Sequence, residues 1–118
     1  MVSNPWADTQ VRPYISLKGE QFMPTYITLL RYTQQGAAKV KDSPKRLDAG
    51  RKAFKKLGVE IKDTYLLMGR YDLLCVIEGP DDETVAKCLL TLGSQGNVQT
   101  ETMKAWNEDD FRKIAKSL

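Results

Sequence analysis

Residues 25–33 read TYITLLRYT, a run of β-branched and aromatic side chains that predicts a strand. Two more runs of this kind, VEIKDTYLLM at 59–68 and YDLLCVIE at 71–78, are separated only by Gly69-Arg70. A glycine in the first of two loop positions fits a type II′ hairpin turn. VQTETMKA at 98–105 makes a fourth strand. Between the strands the apolar spacing changes to that of helices. After a loop containing Gly36, Ser43-Pro44 marks a start, with Ser43 as cap and Pro44 in the first helical position. Leu47, Gly50, Phe54 and Leu57 then share one side, and Gly58 ends the helix. Pro80-Asp81 opens a second helix with acids in its first turn, Val85, Ala86, Leu89 and Leu92 as its stripe, and Gly93 at its end. Asn107 caps a third, with Phe111, Ile114, Ala115 and Leu118 on one face.

The order β-α-β-β-α-β plus a C-terminal helix predicts an α+β, ferredoxin-like fold, a four-stranded antiparallel sheet with two helices on one face. A two-residue turn places Met68 opposite Tyr71, Leu67 opposite Asp72 and Leu66 opposite Leu73. Alternation then separates two faces. Leu66, Met68, Tyr71, Leu73, Cys75 and Ile77 form an apolar set assigned to the helix-packed core. Ile61, Asp63, Tyr65, Leu67, Asp72, Leu74, Val76 and Glu78 form a mixed set for the other face, and Tyr26, Thr28, Leu30 and Tyr32 of the first strand have the same style. An apolar-rich second face on a small sheet implies a partner. The simplest is a second copy, two sheets closing into a dimeric α/β barrel, as a homodimer or a higher homo-oligomer. Asp72 is a diagonal neighbour of Tyr65 in this register. Two roles stand open for it: a ligand contact, or a tie that fixes the hairpin.

Composition changes this picture little. The 118 residues suffice for one domain, and 42% hydrophobic with 28% charged residues is ordinary for a globular chain. Residues 1–22 hold Pro5 and Pro13 without periodicity and read as an N-terminal extension, with the organised domain over 23–118. Cys75 and Cys88 lie among apolar residues and read as reduced, buried thiols. The chain has no signal-peptide pattern at its start and no membrane-length apolar run, so a cytoplasmic location is expected. Net charge is +3, with the cations spread around the helix at 43–57 and interleaved with acids, which predicts a solvated face rather than nucleic-acid binding.

There is no histidine, which removes Ser-His-Asp catalysis and histidine metal sites. LGSQGN lies between a helix and a strand, the reverse of a phosphate-binding loop, and reads as a helix end followed by a turn. PDDE and NEDD put acids at helix starts, where the dipole favours them. No cofactor and no metal are expected.

MPTYITLLRYTQQG, KDSPKRLDAGRKAFKKLG, YLLMGRYDLLCVIEGPDDETVAK and LGSQGNVQTETMKAW together resemble the GYD-domain family, named for its Gly-x-Tyr-Asp tract. The resemblance covers residues 23 to about 118 and implies a dimeric α/β barrel, without an established activity. GRYDLLCV also looks like the hairpin of effector-binding domains in leucine-responsive-type regulators. That likeness implies that Gly69, Tyr71 and Asp72 lie beside a small-ligand pocket. The expected function is a small-molecule-binding or sensing module, with Asp72, Tyr65, Tyr26 and Arg31 as candidate ligand-binding residues. A cofactor-independent enzyme resembling monooxygenases or isomerases of the wider barrel superfamily is the alternative, and a structural assembly protein the next.

Overall fold

The computed structural model describes residues 23–118, so the extension expected over residues 1–22 lies outside the described residues. The elements are β1 (Thr25–Tyr32), α1 (Gln34–Ala38), α2 (Ser43–Lys56), β2 (Glu60–Leu66), β3 (Leu73–Glu78), α3 (Asp82–Ser94), β4 (Val98–Ala105) and α4 (Glu108–Lys116). All strand pairs are antiparallel, in the order β2-β3-β1-β4. The expected ferredoxin-like sheet is therefore present.

Side chains of β1 alternate between a buried and a part-exposed set. Tyr26, Thr28 and Leu30 are buried, opposite Ile77, Cys75 and Leu73 of β3. That places Tyr26, Thr28, Leu30 and Tyr32 on the helix-covered face, a choice the sequence left open. Both sets on β1 are largely apolar, so alternation alone could not choose between them. Phe54 of α2, Val85 and Cys88 of α3, and Val59 and Val98 complete the core. Full burial of a side chain such as Ile77 or Val59 contributes about 1.5–3 kcal/mol. Both cysteines are free and buried, as expected, and burial pushes their thiols up.

A register shift between Ile61 and Asp63 marks a bulge in β2 at Lys62. Ile61 pairs with Ile77 before it and Thr64 with Cys75 after it, so both lie on the helix face. Ile61 packs on the core, which corrects its assignment to the mixed set. Asp63 and Tyr65 stay on the other face, opposite Val76 and Leu74. Beyond Leu66 the alternation fails again. Strand pairing stops at Leu66↔Leu73, and Leu66 and Met68 are 78% and 101% exposed rather than in the core.

The helix ends follow local chemistry, with two corrections. The Asn107 side chain accepts from Asp110 N–H at 2.8 Å, and that of Asp81 accepts from Thr84 N–H at 2.7 Å, which caps α4 and α3. Gly58, with φ 82°, takes the left-handed position that ends α2. Ser43, however, is the first residue of α2 and gives no side-chain cap; its hydroxyl bonds to the Tyr32 hydroxyl at 2.7 Å. The loop expected around Gly36 is the short helix α1, capped by Thr33. Gly36 lies so close to the turn before β4 that an added Cβ would stand 2.0 Å from the Asn97 carbonyl oxygen. On α4, Phe111 and Ile114 lie three residues apart as expected and are exposed; Leu118, expected on the same face, lies beyond the end of the helix and is exposed too. Among the described residues, no helix is long and apolar enough to cross a membrane.

Candidate functional site

The sheet face away from the helices carries successive cross-strand rows. One row holds Tyr65, Leu74, Leu29 and Glu101; the next holds Asp63, Val76, Ile27 and Met103. Tyr65 is 57% and Met103 43% exposed, and the four aliphatic residues between them are only part-covered. Among the described residues no helix lies over them, so the apolar second face expected from the sequence is present.

Polar residues gather at the end of this face where β1 leaves the sheet. The Arg31 guanidinium stands over the Tyr71 ring at 5.1 Å from its centroid, within cation–π range. Its Nε donates to the Arg70 carbonyl at 3.0 Å, and the Tyr71 hydroxyl donates to Glu101 Oε1 at 2.5 Å. The hydrogen bond to Glu101 pushes the Tyr71 phenol up, so it remains a donor at neutral pH. Tyr71 thus serves the open face rather than the core assigned to it. The residues between Leu66 and Leu73 form a loop outside the ladder, and strand alternation does not govern their side chains.

Asp72 makes three hydrogen bonds to two segments, strand β1 and the far side of the hairpin. Its N–H donates to the Leu30 carbonyl, its carbonyl accepts from Leu67 N–H, and its Oδ2 accepts from Tyr32 N–H, each at 2.8 Å. The carboxylate therefore extends the β1 ladder past the last β1–β3 pair. Of the two roles open to it, this geometry fulfils the hairpin tie.

Tyr26 stands apart from the other candidates. It is 4% exposed on the helix face, and its hydroxyl donates to Asp82 at the start of α3, where Lys104 Nζ also reaches Asp82 Oδ1 at 3.2 Å. Burial first, then the bond to Asp82, pushes its phenol well above the usual tyrosine range. The structure brings Arg31 and Tyr65 to the open face, with Leu29 and Leu74 between them, and leaves Tyr26 in the core. Tyr71 was reached only through the likeness to the regulator hairpin, and Glu101 was missed as a functional candidate. The alternating pattern of β4 does place Glu101 with Met103, and that was the available signal.

A four-stranded antiparallel sheet in this order, with its two long central helices on one face, defines a ferredoxin-like α+β protein. The chain belongs to the GYD-domain family, whose pattern matches residues 26–115. A relative from Thermus thermophilus, the glutamine synthetase and cystathionine beta-lyase binding protein, is 36% identical over 84 residues, spanning 70% of this chain and 88% of that one. Among solved structures, the feast or famine regulatory protein of M. tuberculosis, complexed with L-methionine, superposes with a TM-score of 0.56 at 14% identity. The leucine response regulatory protein of Mycobacterium tuberculosis gives 0.54 at 13%. In both, 91% of this chain is covered and it spans 58% of the other. At such identities the likeness is one of fold.

Proposed function

We propose that the protein is a homodimeric binding module that senses a small molecule, two open sheet faces closing on each other into a shared barrel. The observation that carries this reading is the part-exposed apolar row of Leu29, Leu74, Ile27 and Val76 beside the Arg31–Tyr71–Glu101 cluster. Such a row in water favours association. The charges at its borders favour a second copy as the occupant. One end of the face carries Arg31, beside Arg70 and with Glu101 in the same cluster, and the opposite end carries Glu78 and Glu60, paired across β3 and β2, with Lys62 3.5 Å from Glu60. Turned about a two-fold axis, each basic end meets the acidic end of the other copy. Tyr65, Arg31 and Tyr71 then line the ends of the closed barrel, where a ligand with polar groups is held against Leu29 and Leu74. Asp72 and Tyr26 hold that wall in place without touching the ligand.

Light scattering at micromolar concentration tests the assembly. A dimer is expected, with Leu74→Arg giving a folded monomer; a stable wild-type monomer refutes the pairing. A thermal-shift screen over amino acids, aromatic acids and nucleotides tests the sensing role. A ligand that raises the midpoint in wild type and not in Arg31→Ala supports it. Turnover of that ligand moves the protein to the enzyme alternative. The Thermus relative's name favours a second reading, in which the same surface binds an enzyme. Co-elution with glutamine synthetase on a sizing column, lost in Leu74→Arg, distinguishes it.

A further inference from the structure

The opposite side of the sheet holds a separate feature. α2 packs along β2 and α3 along β4, the two edges of the sheet. The helices therefore stand apart over the central strands β3 and β1, and a cleft of about 70 Å³ opens between them. Leu30 and Cys75 form its floor, Leu47 and Phe54 one wall, and Leu89 and Leu92 the other. Interiors are ordinarily close-packed, and a single water needs roughly 10–15 Å³ of such space. This cleft holds about five water-sized groups in apolar surroundings.

Gly50 marks the cleft as built. It sits inside α2 and lines the opening, yet an added Cβ there would meet no atom within 4 Å. Nothing in the packing demands a glycine, although glycine is the least favourable residue but proline inside a helix. Its effect is to keep the wall of the cleft low.

One end of the cleft is polar. There the Tyr32 and Ser43 hydroxyls bond to each other at 2.7 Å, and Asn97 and Arg46 also line the space. Among the described residues the Arg46 guanidinium donates only to main-chain carbonyls, Lys39 O at 3.1 Å and Gly36 O at 3.5 Å. Among the described residues it has no carboxylate partner. A cation without a counter-anion at the mouth of an apolar cleft fits an anion with an apolar tail. Among the described residues the lining presents no acid that would receive an ammonium group.

From this geometry we infer that the cleft between α2 and α3 binds a small monocarboxylic acid of about four to six carbons. The tail lies beside Gly50 and the carboxylate at Arg46 and the Tyr32–Ser43 pair. The site is independent of the open sheet face.

Titration calorimetry with hexanoate, hexanol and leucine on the full chain tests it. Hexanoate binds saturably and leucine at least about tenfold more weakly, since its ammonium loses solvation without gaining a partner. Gly50→Leu, with its side chain in the cleft, retains the wild-type circular dichroism spectrum and loses hexanoate binding by at least about tenfold. Arg46→Met weakens hexanoate by about tenfold or more while hexanol affinity is unchanged. Absence of saturable hexanoate binding to wild type overturns the assignment. So does hexanoate affinity that is unchanged in a folded Gly50→Leu variant. Arg31→Ala leaves hexanoate affinity unchanged, which separates this site from the sheet face.

Discussion

Replacing Asp72 with alanine removes one hydrogen bond at a place where strand pairing has already ended. The main-chain bonds of residue 72, to Leu30 O and from Leu67 N–H, survive the change, while the bond from Tyr32 N–H to Oδ2 is lost. Hydrogen bonds to charged groups contribute about 1.5–3 kcal/mol. Asp72 and Tyr32 are both part-exposed, so water replaces some of the loss and the lower half of that range applies, about 1.5–2 kcal/mol. For a folded body of roughly 100 residues each kcal/mol moves the melting midpoint by about 4–8 °C, so Asp72→Ala should melt about 6–16 °C lower. Asp72→Asn retains an acceptor oxygen and loses only the charge, for a smaller loss of about 0.5–1 kcal/mol. Thermal and urea melts of the three proteins at pH 7, followed by circular dichroism, give the ranking. Wild type should be most stable, asparagine intermediate and alanine least. An alanine variant that melts with wild type would refute the hairpin tie and return the carboxylate to the list of ligand contacts.

The same substitution at two other positions should act with opposite signs. Gly50→Ala places a methyl in open space on a helix and should stabilise by about 1 kcal/mol, whereas Gly36→Ala drives a methyl into the Asn97 carbonyl and should cost about 1–3 kcal/mol. Urea midpoints that move together would contradict both local geometries. Acid should weaken the tie between α3 and the sheet. The bonds from Tyr26 and Lys104 hold the Asp82 carboxyl below its ordinary 3.8. A folded-state value below the unfolded one means that this stabilisation is present above about pH 4 and is lost as pH falls below it. Asp82→Asn should therefore show a flatter decline of urea midpoint between pH 5 and pH 2.5; an unchanged slope would show that other carboxylates carry the acid sensitivity.

Much of the fold was legible because local and long-range signals agreed. The Leu66↔Leu73 register, the Asn107 cap, the end of α2 at Gly58 and the buried thiols all followed from short-range chemistry. What escaped the sequence has specific physical causes. The extra residue at Lys62 leaves no compositional trace, yet it moves Ile61 to the opposite face. Tyr71 and Met68 look like strand residues, but the loop that carries them leaves the ladder, and only its three-dimensional path decides their direction. Strand β1 has apolar residues on both sides because both faces of the sheet are apolar, so the sequence left the face of Tyr26 open, and it lies with Ile77. The cleft was hidden for another reason. Gly50 fits a helix stripe by spacing, and only the separation of α2 and α3 shows that the space beside it is unfilled.

The bulge at Lys62 has a consequence for crowding. β2 and β4 are the two borders of the sheet, and each exposed border is a template on which another chain can add a strand. A surplus residue breaks the regular spacing of donors and acceptors along β2, which makes that border a poor template. Among the described residues, the eight-residue β4 is left as the regular one. Endless strand-by-strand growth needs two serviceable borders on every copy, whereas a single one lets two copies meet and then stop. One residue out of step thus works as a chain terminator against fibre formation.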